Sequence, residues 1–254
     1  EEALPAAEQQ LRDGQAALDA ARESIGQIVV DEGSGTTIAD LEAMRDEAQE
    51  AVDSLPGVIA GMDEQVASLM DGMGALAGGL AGAGLDDGGL GTATQAVRDA
   101  WAAAQAVDPG DQGAVDSASE RLGSSLSEAS SALGAVLSGL DEKIAALEAT
   151  NPESPQLETL RGFRDQVAPL AEAVSGVDAA SLVSGRAQAS LALAQAEASL
   201  PQLSAAAEQA RDAAEAELDR RQETIDQGWR DLRDAYDQLE AARALLAQSA
   251  DEIA

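Results

Sequence analysis

Large aliphatic residues recur every seventh position at both ends of this chain, and the position three residues on is usually small. Near the start they are Leu4, Leu11, Leu18 and Ile25, followed three residues on by Ala7, Gly14, Ala21 and Ile28. Near the end they are Leu218, Ile225, Leu232, Leu239, Leu246 and Ile253, with Arg221, Gly228, Ala235, Ala242 and Ser249 three residues on. A sustained seven-residue apolar repeat keeps one stripe of a slightly underwound helix facing a partner, so it predicts helices wound on each other. Residues 1–30 and 218–254 can pair antiparallel with facing positions that add to 253. Leu4 then meets Ser249, Ala7 meets Leu246, Leu11 meets Ala242, Gly14 meets Leu239, Leu18 meets Ala235, Ala21 meets Leu232 and Ile25 meets Gly228. Nearly every layer sets one large residue against one small one, which brings the two backbones close. The expected seam is Leu4, Leu11, Gly14, Leu18, Ile25, Ile225, Gly228, Leu232, Ala235, Leu239, Ala242 and Leu246. Both ends of the chain are expected together at the base of a helical hairpin, as if the segment were cut from a larger protein.

Composition agrees with packed thin layers. Hydrophobic residues make up 45% of the 254, but aromatics only 2%, and alanine supplies much of the apolar content. A large globular core needs more bulky side chains than that. Alanine with Leu, Glu, Gln and Arg suits helices in close contact. The expected fold is therefore all-α, an elongated antiparallel coiled-coil stalk with additional packed helices. It divides into a first stalk helix and turn over 1–36, a middle helical region over 37–185, and a long returning helix over 186–254.

The net charge of −32, from 47 acidic and 15 basic residues, sets the chain against nucleic acid and anionic lipid, whose binding needs clustered positive charge. There is no cysteine for disulfide or thiolate chemistry and no histidine, the usual general base and transition-metal ligand. The chain begins Glu-Glu rather than Met and holds no uninterrupted apolar spanning segment. We read it as an excised soluble region of a membrane protein.

Along the chain, a first helix is expected over 2–30, broken at Asp31-Glu32-Gly33-Ser34-Gly35. Ile28-Val29-Val30 is too short to read as a strand. Thr37 with Asp40 resembles a capping box opening a second helix. Pro56-Gly57 is expected to kink or end it. Nine glycines fall within residues 72–91, and Thr92 with Gln95 can cap the next helix. A turn at Asp108-Pro109-Gly110-Asp111 precedes a long helix to about Ala149. Asn151-Pro152-Glu153-Ser154-Pro155 ends it, with Ser154 as the next N-cap and Pro155 at the first helical position. The last helix is expected from near Arg186, or from near Leu200 if Pro201 interrupts it.

Candidate sites are few. The apolar Gly-rich stretch from Val66 to Leu85 reads either as a distal tip touching lipid or a partner, or, more simply, as a helix end whose glycines permit tight turns and close packing. Asp86-Asp87-Gly88 and Asp108-Pro109-Gly110-Asp111 have oxygen donors for calcium but not the twelve-residue spacing of an EF-hand; acidic turns are the simpler reading. Trp229 and Tyr236 flank the seam beside Gly228 and Ala235. Arg220, Arg221, Arg230, Arg233 and Arg243 are expected solvated or paired on neighbouring turns. No catalytic, cofactor-binding or metal-binding residue is assigned.

The heptads Glu8-Gln9-Gln10-Leu11-Arg12-Asp13-Gly14-Gln15-Ala16-Ala17-Leu18-Asp19-Ala20-Ala21 and Ile225-Asp226-Gln227-Gly228-Trp229-Arg230-Asp231-Leu232 resemble those of FtsX-like ABC transporter permeases. Such permeases in actinobacteria and other Gram-positive bacteria often carry long extracytoplasmic coiled coils inserted after a transmembrane helix. Lys143 to Leu160, a Leu-rich helix broken by Asn-Pro-Glu-Ser-Pro, looks like a hairpin turn in such a stalk. YhgE/Pip-type membrane proteins, whose ectodomains repeat Leu-x-x-Gly, resemble the stretches Leu69 to Gly72 and Leu76 to Gly79. Either resemblance implies a non-catalytic, cofactor-free stalk on the extracytoplasmic side of the cell membrane, flanked by transmembrane segments of its parent protein. Its implied partner is an envelope lipoprotein or cell-wall enzyme. The alternative is a free-standing structural or adhesive coiled-coil protein of the envelope.

Overall fold

Strong helix formers joined by short Gly, Pro and Asp turns give an all-α chain. The computed structural model describes residues 3–31 and 33–253. Six helices, α1 (Ala3–Glu23), α2 (Ile38–Gly82), α3 (Leu90–Gln105), α4 (Gln112–Thr150), α5 (Pro155–Ser175) and α6 (Ala179–Ile253), cover most of them. The backbone of Ile253 closes α6; its side chain, with Glu2, Glu32 and Ala254, lies outside the described residues.

Local chemistry explains the starts and stops. Thr37 and Asp40 form the expected reciprocal cap. The Thr37 N–H donates to Asp40 Oδ2 at 2.8 Å, and the Asp40 N–H donates to Thr37 Oγ1 at 3.2 Å. Ser154 caps α5 by accepting the Gln156 N–H, with Pro155 at the first turn where its missing N–H costs nothing. Asp178 opens α6 by accepting the N–H groups of Ala180 and Ser181.

Four expectations are corrected. The first helix stops at Glu23. After a 3-10 turn at Ile25–Gln27, β1 (Val29–Asp31) pairs antiparallel with β2 (Thr36–Thr37). The run of β-branched residues around the Gly-Ser-Gly turn outweighs the heptad there. Pro56 does not end α2, which runs on through it from Ile38 to Gly82, because one missing donor is a local loss in a helix anchored by buried Ala48 before it and buried Val66 after it. Pro201 likewise sits inside α6 between buried Ala196 and Ala207, so that helix starts at Ala179 rather than near Arg186 or Leu200. Thr92 and Gln95 do not cap α3. Its N-cap is Gly89, at φ 81° where a side chain would be strained, and Asp87 accepts the Gly89 and Gly91 N–H groups.

The chain forms two compact units, Glu1–Gln49 with Ala198–Ala254, and Glu50–Glu197. The divisions fall inside α2 and α6, where the sequence reading set them at breaks near 36 and 185. In the second unit α4 packs on α3 and α5. Its core gathers Met73, Leu80, Leu90, Val97, Leu122, Leu133 and Val167, all wholly buried. Trp101 belongs to it, and Arg186 stacks on the indole 6.0 Å from the ring centre while its Nε donates to Asp63 at 3.1 Å. This cluster ties α2, α3 and α6 within the unit.

Candidate functional site

The heptads at the two ends of the chain do pair, and they meet within the first unit. A methyl added at Gly14 would stand 3.6 Å from Ile225 Cδ1, and one added at Gly228 would stand 2.5 Å from Leu11 Cδ2. Beside this seam Gln15 and Gln222 exchange amide hydrogen bonds at 2.9 and 3.1 Å, and Arg22 donates to Asp219 and Gln222, both at 3.3 Å. Leu4 and Pro5 share a cleft with Tyr236, Leu239, Glu240 and Arg243. Helices α1 and α6 are antiparallel, as expected.

Their register is not the expected one. Gly14 faces Ile225 rather than Leu239, and Gly228 faces Leu11 rather than Ile25. Facing positions add to 239, not 253, a displacement of 14 residues or two heptads. Continued along both helices, the observed register sets Leu4 opposite Ala235, Ala7 opposite Leu232, Leu18 opposite Arg221 and Ala21 opposite Leu218. Leu18, Leu218 and Leu232 are buried accordingly. Large still meets small in every layer except Leu18 with Arg221, because a slide by whole heptads largely preserves that pattern.

What selects the register lies outside the seam. The β1–β2 hairpin returns the chain at once into α2, and Arg211 of α6 pairs with Glu42 near the start of α2 at 2.9 Å. The end of α1 is therefore held at the level of α6 residues 211–219. The pairing that adds to 253 would carry Arg22 about 20 Å further along α6 at roughly 1.5 Å per residue. While the hairpin is closed, it holds α1 short of that level.

The consequence is an overhang. Leu239 keeps partial cover, whereas Ala242 and Leu246 are exposed, Leu246 to 70% and its neighbour Leu245 to 67%. Tyr236, 39% exposed, and half-buried Trp229 flank the seam. Glu217 bridges Arg220 and Arg221 on its own helix. The Arg221 guanidinium, and then the charge of Arg220, hold the Glu217 carboxyl below the ordinary carboxylate range.

A second cleft of about 760 Å³ opens between α1, the hairpin, α2 and α6, lined by Val29, Val30, Leu41, Ala210, Ala214 and Leu218. In the other unit, a cleft of about 400 Å³ joins Leu85, Leu147 and Leu160 to the chain's only lysine, Lys143. Lys143, Gln156 and Thr159 on its rim are all exposed, so the cleft is open to solvent.

The remaining candidates find their places. One face of the Gly-rich stretch is packed, with Val66, Met73, Leu76 and Leu80 buried and Gly79 against the Phe163 ring, while Ala81, Gly82, Ala83 and Gly84 at the helix end are exposed. The acidic turns spend carboxylate oxygens on their own backbone. Asp86 accepts the Gly88 N–H, Asp108 that of Gly110, and Asp111 that of Ala114. Among the described residues no group of three or more Asp or Glu is arranged to hold a metal ion. No single described helix is long and apolar enough to cross a membrane. The sequence reading missed the Arg186–Asp63–Trp101 cluster, whose members lie on three helices and share no spacing that could announce it.

Compared with known proteins, the chain matches no family model, no curated protein and no solved structure.

Proposed function

We propose that this chain is a non-catalytic helical stalk of a bacterial membrane protein, set on the extracytoplasmic side, that couples motion or engages a protein partner. The supporting observation is the α1–α6 seam. It brings Leu4 and Pro5 beside Tyr236 and Leu239, so α6 runs back past the level at which α1 begins. That arrangement suits a segment inserted between two anchored flanks. Packed antiparallel helices also move as rigid elements, so a displacement at the seam is carried onward rather than absorbed. The heptad resemblance to FtsX-like permeases agrees with this reading, with YhgE/Pip-type ectodomains as the other family of the same kind. A partner would then be an envelope lipoprotein or cell-wall enzyme, and the charge of −32 disfavours nucleic acid and anionic lipid.

The test is the full reading frame and its topology. An apolar span on each side of the chain, with reporter fusions placing residues 3–253 outside the cytoplasm, is the expected result. A reading frame without such spans, or a cytoplasmic reporter, would transfer the chain to the free-standing structural class.

A further inference from the structure

The near part of the overhang of α6, with half-buried Leu239 and exposed Ala242, has a matching occupant within the chain. We infer that residues 225–242 of α6 form a second docking surface for α1, reached when α1 slides by one heptad so that facing positions add to 246. The surface is continuous with the observed seam and repeats its pattern. In the displaced register Leu4 meets Ala242, Ala7 meets Leu239, Leu11 meets Ala235, Gly14 meets Leu232, Leu18 meets Gly228 and Ala21 meets Ile225. Every one of these layers pairs large with small. One awkward feature of the observed register is also relieved: Leu18 exchanges Arg221 for a glycine.

The flanking charges select one heptad over two. Arg22 now donates to Asp219. Seven residues on it meets Asp226, which keeps the ion pair; fourteen residues on it meets Arg233, which repels it. The connection permits the movement. A slide of seven residues is about 10 Å at roughly 1.5 Å per residue. The segment from Ser24 to Thr37 reaches about 45 Å when extended, at roughly 3.3 Å per residue. Only the β1–β2 hairpin must open, and an isolated two-stranded hairpin is marginally stable. This inference rests on the coupling role proposed above: two registers at one seam give a stalk two discrete states.

The natural chain has no cysteine, so cysteine pairs report the register without background. Gln15→Cys is combined with Gln222→Cys, Trp229→Cys or Tyr236→Cys in the full chain, and disulfide formation is followed while circular dichroism confirms that helicity is retained. The Gln222 pair reads the observed register, the Trp229 pair the one-heptad slide and the Tyr236 pair the two-heptad slide. The expected result is cross-linking of the first two pairs and little of the third. Adding Arg22→Glu should raise the third roughly fivefold relative to the first, since it reverses the flanking charge that opposes it. Cross-linking at Gln222 alone overturns the inference, as does equal cross-linking at Trp229 and Tyr236, which would mean fraying. Either result leaves the topology test of the stalk untouched, so the two readings fail separately.

Discussion

At Gly228 an added methyl would sit 2.5 Å from Leu11 Cδ2, whereas at Gly14 the nearest partner atom is 3.6 Å away. Both positions are inside helices, where alanine is favoured over glycine by about 1 kcal/mol. Gly14→Ala adds a methyl into ordinary contact and should raise the melting temperature. Gly228→Ala must displace the Leu11 side chain, at about 1–3 kcal/mol, which cancels or outweighs the propensity gain. Thermal unfolding of the two variants should place Gly14→Ala above the natural chain and Gly228→Ala at or below it; the reverse order would place the close approach elsewhere. Asp178 makes a second prediction. The Ser181 hydroxyl, then the N–H groups of Ser181 and Ala180, hold its carboxyl below the ordinary value of 3.8. Because these contacts favour the charged form, their contribution is complete above that value and is lost as pH falls through the lower folded-state value. Asp178→Asn should therefore unfold at a lower temperature than the natural chain at pH 7. The difference should shrink as pH falls below 3.8 and vanish once Asp178 is protonated in the folded chain as well, and a difference that persists in fully protonated protein would assign the effect to packing instead.

Among the helices, caps were legible where a side chain announces them, and hidden where glycine geometry decides. Ser154-Pro155 and the Thr37–Asp40 pair stand in the sequence as they stand in the structure. Thr92 looked like a cap but lies inside α3; Asp87, five residues earlier, accepts from Gly89 and Gly91 because Gly89 adopts the left-handed conformation. Asp87→Ala should therefore cost about 1 kcal/mol in denaturant unfolding, and Thr92→Ala less than about 0.5 kcal/mol. Equal costs would restore Thr92 as the cap. The prolines misled for a related reason. Each removes one hydrogen bond, a fixed local loss, whereas the burial on either side of Pro56 and Pro201 depends on residues far away in the sequence. The seam was legible in face and direction but not in register, because a seven-residue repeat looks the same after every slide of seven. What fixed it, the hairpin at Val29–Thr37 and the Arg211–Glu42 pair, lies outside the repeat.

Across the whole chain the two units differ in what holds them. The unit Glu50–Glu197 buries Met73, Leu80, Leu122, Leu133 and Trp101 in one continuous core. The other buries mainly Ile38, Leu18, Leu218, Leu232 and the alanines Ala48, Ala207 and Ala214. Less apolar area per residue gives less protection against local opening. Amide hydrogen exchange should be faster along 3–23 and 204–249 than along 73–80, 90–104 and 115–144. Uniform protection would mean that the seam is as well packed as the core. The pairing of the chain's two ends is tested most directly by the distance between spin labels at Gln9→Cys and Arg230→Cys, two exposed positions at the same level of α1 and α6. Helices in contact lie about 8–10 Å apart, so with label arms the main distance should fall under about 30 Å in either register. A dominant distance beyond about 45 Å would separate α1 from α6 and remove the seam on which the stalk rests.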